Sequence, residues 1–284
     1  MHFTKVLYDT SDSWVILSDV EQSIKSKIEA IGTPLKKWDI QINYGIKTGY
    51  NDAFIITTEK RNEILAHCLD DADRERTAEL IRPILRGRDI KRYSYDWAGL
   101  WLINTHNGVK GRLSPIDIND YPSVKQYLDL HWEKIKKRED KGITPYNLRN
   151  CAYMDDFNKP KIVWIELSDE AKFTICEELI PLNTVFFITG EKLYNILGML
   201  NAKITKWYFT HCLGTTSGVG TNRWLKYTIE QLPLIYNMDE QFESIVKSIL
   251  SKPTIDLEKK IDKILYQAYN LSNEEIDFIE SFTQ

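Results

Sequence analysis

Long hydrophobic runs are missing from this 284-residue sequence. No apolar stretch approaches the ~20 residues that span a bilayer. The opening Met1-His2-Phe3-Thr4-Lys5 lacks the basic start and apolar run of a secretory signal. Cysteine is scarce: Cys68, Cys151, Cys176 and Cys212 are scattered and form no CxxC pair. That pattern speaks against a disulfide framework and points to a reducing, cytoplasmic setting. Two cysteines follow a histidine, in His67-Cys68 and His211-Cys212. A zinc site would require both pairs to converge.

Catalytic signatures are also absent. There is no Gly-x-Ser-x-Gly elbow, no His-Glu-x-x-His and no dinucleotide glycine fingerprint. The Asn-Pro-Pro-Tyr or Asp-Pro-Pro-Tyr signature with which amino-methyltransferases grip a base amino group does not occur either. Over this length, such silence favours a binding module over an enzyme.

What is present is globular composition, 43% hydrophobic and 27% charged, with eight Trp and fifteen Tyr. The chain can build one large core or two smaller ones. A net charge of −4 conceals a segregated pattern. Residues 1–81 carry net −4 and residues 150–233 net −1. Residues 82–149 hold 14 basic and 8 acidic side chains, and residues 234–284 carry net −5. One basic segment in an acidic chain is the footprint of a face that meets a polyanion.

Ser18 ahead of Asp19-Val20-Glu21 fits a capping box. Val20, Ile24, Ile28 and Ile31 then predict a helix over 19–31, closed by Gly32 and Pro34. "INYGIKTGYNDAFII" (42–56) reads as strand, tight turn, strand, with Gly45 and Gly49 in the turn. Residues 59–81 and 121–138 read as helices, and "WLINT" (101–105) as a strand. "KIVWIEL", "KFTIC" and "NTVFFITG" predict three further strands, and 191–210 a long helix. "GTTSGVGTN" (214–222) reads as a flexible loop. Residues 238–284 show two or three helix patterns.

The strongest local signal is "RPILRGRDIKRY" (82–93), five basic residues and one acid about Gly87. Arginine presents a planar fork that suits phosphate oxygens and guanine edges. A second basic group, "KIKKREDKGITPYNLRN" (134–150), is diluted by Glu139 and Asp140. The glycine-rich loop 214–222 leads into Arg223 but lacks the lysine-serine/threonine ending of a P-loop. Asp155 or Asp156 followed by Glu170-Ala171-Lys172 fits, loosely, the acid and Glu-x-Lys of metal-dependent nucleases.

Taken in order, "INYGIKTGYNDAFII", "IRPILRGRDIKRY", "YP…YL", "DKGITPYNLR", "FNKPKIVWIEL", "LNTVFFITG", "LYNILGMLNAKI" and "RWLKYTIEQLPL" resemble the TaqI-like specificity domain. That domain belongs to type IIG restriction–modification enzymes and related adenine methyltransferases, and the resemblance runs over residues 36–233. The tail "IDKILYQAYNLSNEEIDFIE" is similar to the helical end of such proteins. The resemblance implies a mixed α/β target-recognition domain over 36–233, a helical segment at 1–35 and a helical C-terminal segment at 234–284. It implies sequence-specific binding of double-stranded DNA without catalysis. An adenine methyltransferase module would be partnered in cis or in trans, and S-adenosylmethionine and Mg would belong to that missing module. Gly45 and Gly49 are then framework. The candidate DNA contacts are Lys47, Asn51, Arg86, Arg88, Lys91, Arg92, Lys136, Lys137, Lys141, Arg149 and Arg223. Helix 19–31 is expected to pack near the C-terminal helices, and the acidic tail to face away from DNA. Two other classes remain open: a magnesium nuclease using Asp156, Glu170 and Lys172, and a scaffold that docks a methyltransferase.

Overall fold

Helix α1 (Asp19–Ile31) begins at the capping box its sequence foretells. The Ser18 hydroxyl accepts from Glu21 N, and the Glu21 carboxylate accepts from Ser18 N at 2.7 Å. The computed structural model describes residues 17–282 apart from 169, 214–215 and 218–220. Further helices are α2 (Thr58–Ala66), α3 (Asp71–Leu80), α4 (Pro122–Asp129), α5 (Leu193–Asn201), α6 (Lys203–Tyr208), α7 (Glu240–Ser251), α8 (Ile255–Ala268) and α9 (Asn273–Phe282). None is long and apolar enough to cross a membrane.

Two four-stranded sheets organise the rest. The strands are β1 (Ile40–Tyr44), β2 (Ile55–Thr57), β3 (Ile81–Leu85), β4 (Leu100–Ile103), β5 (Lys161–Ile165), β6 (Thr174–Cys176), β7 (Ile180–Pro181) and β8 (Val185–Gly190). The central sheet runs β6-β5-β8-β1, antiparallel throughout. The second runs β7-β3-β4-β2, with β7 parallel to β3 and the other pairs antiparallel. Side chains alternate across a strand, and the central sheet uses both faces. Ile162, Trp164 and Ile188 enter one core; Val163, Val185 and Phe187 enter the other. The first core is closed by α1, α5, α6 and the C-terminal helices. The second is closed by the other sheet and α2 to α4.

The helix and strand expectations at 19–31, 101–105, 161–167, 172–176 and 183–190 agree with these elements. Ile24 and Ile28 are buried in the chain's own first core, beside the C-terminal helices, whereas Ile31 is 37% exposed. Ser23 and Lys27 both reach Glu275 of α9. The stripe therefore covers the domain's own core.

Several expectations need correction, among them helix 59–81, which is two helices, α2 and α3, parted at 67–70. Segment 42–56 is not a hairpin. β1 pairs with β8 and β2 with β4, so the chain leaves one sheet and enters the other. Gly45 makes the crossing possible. A Cβ there would lie 2.3 Å from the carbonyl oxygens of both Leu182 and Pro181, so only glycine fits between those peptides. Helix 191–210 breaks at Ala202, whose ψ of 150° is extended. The freed Asn201 carbonyl accepts from Arg92, and the freed Lys203 N–H donates to Asp262 at 2.9 Å. Helix 121–138 is interrupted likewise, α4 being followed by a separate turn, Trp132–Ile135. In the glycine-rich segment, 214–215 and 218–220 lie outside the described residues. Thr216–Ser217 and Thr221–Arg223 pair with each other, and the latter pairs with Leu167–Ser168.

Candidate nucleic-acid interface

Arg138 organises a basic cluster, although it is only 7% exposed. Its Nη1 donates to the carbonyls of Thr48 and Asp140, and its Nη2 to those of Pro145 and Asn147. The guanidinium carbon lies 4.3 Å from the centre of the Phe54 ring. Burial pushes its pKa down to about 10, which still leaves it charged at neutral pH. One buried cation thus fixes two loops, 45–51 and 140–148, as a unit. Gly49, at φ +72°, turns the first loop where a Cβ would meet Asp140 at 2.9 Å. The second loop is closed by a bridge between Lys141 and Leu148.

On this frame Lys47 Nζ lies 2.6 Å and Arg149 Nη1 3.1 Å from the Asp140 carboxylate. The hydrogen bond from Lys47, with the charges of Arg149 and Arg138, holds Asp140 below its ordinary pKa. Lys141 donates to the Lys136 carbonyl at 3.0 Å, and Lys136 pairs with Glu133. Lys137 is exposed and pairs with no carboxylate among the described residues. Asn51 is exposed and accepts from the buried Thr48 hydroxyl at 2.6 Å. Cations outnumber carboxylates here, so the cluster is a positive, preorganised surface.

The other sequence candidates lie elsewhere. Arg86 is bidentate to Asp89 at 2.7 and 2.8 Å. Arg88 is exposed, with no ion pair among the described residues. Between them Gly87 abuts Ile165 and Thr184, and the adjacent Glu166 pairs with Arg223. The segment that carries Arg86 and Arg88 thus packs on Ile165, one residue before the partner of Arg223. Lys91 is exposed and pairs with Asp96. Arg92 is turned onto α8, where it pairs with Glu258 and donates to the Asn201 carbonyl. It ties the sheet region to the C-terminal helices, which commits its guanidinium to partners within the chain.

A third feature holds none of the candidate contacts read from the sequence. An open cleft of about 520 Å³ is lined by Arg76, Arg82, Asn104, His106, Asp155 and Asn158. It adjoins one of about 790 Å³ beside Lys110, Arg112 and Asn150. Arg82 donates to Asn158 at 3.0 Å, and Arg112 pairs with Asp155 at 3.1 Å. Burial pushes His106 below its ordinary pKa, favouring a neutral ring. The sequence signal was "NGVKGR" (107–112), two glycines about two cations.

The nuclease and zinc candidates do not converge. Asp156 bonds Asn43 and Lys159, while Glu170 pairs with Lys172. Cys68 contacts Ser123, whereas His211 stacks on Trp207 in the other core. Among the described residues no group of His, Cys, Asp and Glu is placed to hold a metal ion.

This mixed two-sheet scaffold with loop-borne basic clusters is of the restriction–modification specificity class. The family model of the TaqI-like C-terminal specificity domain matches residues 82–234, more than half of the chain, and the chain belongs to that family. It is similar to the Type II methyltransferase M.BstVI of Geobacillus stearothermophilus, with 22% identity over 284 residues, 95% of this chain and 46% of that protein. Its fold is similar to that of the Type IIL restriction–modification enzyme MmeI, solved in complex with DNA: TM-score 0.58, 15% identity, 88% of this chain and 36% of that one. The type IIG restriction endonuclease BpuSI is also similar, with TM-score 0.59, 13% identity, 92% of this chain and 31% of that one. The chain spans less than half the length of each of these proteins.

Proposed function

We propose that this chain recognises a specific double-stranded DNA sequence as the specificity module of a type IIG-like restriction–modification enzyme, and catalyses nothing by itself. One coincidence carries this reading. The basic segment 82–149 falls inside the stretch that matches the specificity-domain family, and its loops gather Lys47, Lys141 and Arg149 on one rigid frame. Those cations, with Asn51, Lys136, Lys137, Arg88 and Arg223, would engage phosphates and fix the register on the duplex. The partner would be an adenine methyltransferase module, in cis or in trans. S-adenosylmethionine and magnesium chemistry would reside there. The M.BstVI likeness supports a methyltransferase, and the choice of adenine rests on the family resemblance.

The test is retention of a random duplex library by the purified chain at about 50 and about 200 mM salt, with sequencing of the bound fraction. Phosphate contacts of this number lose orders of magnitude in affinity across that range. An enriched motif with a steep salt slope is the expected result. Lys47→Ala with Arg149→Ala should flatten the slope by about one to two contacts' worth and leave the motif unchanged. No retention at the lower salt would overturn the reading.

A further inference from the structure

Beside the Asp140 cluster rises a small hairpin, residues 109–113. Val109 N donates to the Leu113 carbonyl at 2.8 Å, and Leu113 N to the Val109 carbonyl at 2.9 Å. Between them stand Lys110, Gly111 and Arg112. Gly111 has φ +79°, and a Cβ there would meet no atom within 4 Å, so the tip projects clear of the protein. Lys110 is exposed and unpaired among the described residues. Arg112, with a side chain 59% exposed, is held by Asp155 and by the Ala152 carbonyl at 3.0 Å.

The tip is free but the root is fixed. Asn107 donates to Asn150 and accepts from Ile143 N at 2.7 Å. Buried Asn147 donates to the carbonyls of His106 and Ile116, which flank the hairpin. Both contacts lead into loop 141–148, the loop that Arg138 holds. The root of the hairpin and the Asp140 cluster are therefore anchored on the same loop.

A positive surface can position a duplex without reading it, since phosphate contacts carry no sequence information. Direct reading needs an element that enters a groove and meets the base edges. The major groove admits a two-stranded β-ribbon, and an arginine fork there pairs with guanine O6 and N7. The Arg112–Asp155 pair is exposed on both sides. Exposed pairs are weak, so Arg112 can exchange the carboxylate for a base edge at small cost.

We propose that hairpin 109–113 enters the major groove and that Arg112 reads a guanine there, an assignment that rests on the DNA-recognition reading above. Two measurements on the full chain test it. In the library experiment, Arg112→Ala should lower the preference for guanine at one position by about 10- to 100-fold. The other positions and the salt slope should not change. Separately, Lys110→Cys is labelled with a maleimide and read at position 110 by peptide mass spectrometry. Ile255→Cys, at a 73% exposed site on α8, serves as the reference. Duplex at about 50 mM salt, where such proteins bind even non-specific DNA, should slow labelling at 110 several-fold and leave 255 unaffected. Equal labelling at 110 with the duplex demonstrably bound would overturn the groove assignment while DNA recognition stands. An Arg112→Ala motif identical to the unmodified one removes Arg112 as reader. Failure of the unmodified chain to retain any duplex sinks the recognition reading itself.

Discussion

Arg138 sits in a run of cations, "KIKKRED", yet behaves unlike its neighbours. Lys137 stays in solvent, whereas Arg138 spends its guanidinium on four carbonyls and the Phe54 face. A lysine has three donors on one nitrogen and cannot span two loops with a planar fork. Arg138→Met should leave the Thr48, Asp140 and Pro145 carbonyls short of a donor, while the Asn147 carbonyl keeps Gly142 N at 2.9 Å, and each buried unsatisfied group costs about 1–3 kcal/mol. Part of that is offset because a charge is no longer buried. A net loss of ~2–4 kcal/mol is expected, read as a lower urea midpoint, with Arg138→Lys only partly restoring it. A midpoint unchanged in Arg138→Met would mean the loops hold without the cation. The sequence showed a basic patch here but not which member was buried. Spacing alone cannot distinguish them, because the partners of Arg138 are main-chain atoms of loops as distant as Thr48.

At the scale of elements, segment 40–57 shows both what local pattern reveals and where it stops. Its apolar alternation announces two extended pieces, and both exist. Their pairing partners lie far along the chain, Ile42 opposite Ile188 and Ile56 opposite Trp101, and no local signal encodes that choice. The turn chemistry suggested a hairpin because glycines suit turns. Gly45 instead serves a crossing of peptides. Gly45→Ala would drive a methyl into the Pro181 and Leu182 carbonyls, neither of which is a flexible side-chain end. We expect a loss of about 2–4 kcal/mol in chemical denaturation. Wild-type stability in that variant would show that the crossing has slack. By contrast, α1, β5, β6 and β8 were legible, because periodicity and capping are encoded within the elements themselves. Candidate site residues divided in the same way. Lys47, Lys141 and Arg149 come together on the Arg138 frame, whereas Arg92 is diverted by Glu258, which is 166 positions away in sequence.

Across the whole molecule, the acidic tail that follows the specificity region is fastened to that region and to α1 by its own carboxylates. Glu258 holds Arg92, Glu275 holds Lys27, and Glu280 holds Lys203. Asp262 lies at the centre of this seam, 4% exposed, and accepts from Lys203 N where the helix breaks. Burial pushes its pKa up to about 6, against the opposing pull of the Lys203 N–H and the charges of Arg92 and Lys203. An unfolded aspartate titrates near 3.9. The native state therefore binds this proton more tightly than the unfolded chain. The stabilisation from that proton is full below about pH 4 and fades as pH rises through about 6. A gap of this size is worth ~3 kcal/mol. Asp262→Asn keeps an acceptor for Lys203 N and removes the titration. The urea midpoint of the unmodified chain should thus carry a downward contribution between pH 4 and 6.5 that the variant lacks. The difference between the two curves, rather than either alone, isolates Asp262 from the surface carboxylates that titrate in the same range. Parallel curves would show that Asp262 is already ionised in the native seam at low pH, with Arg92 and Lys203 compensating its burial.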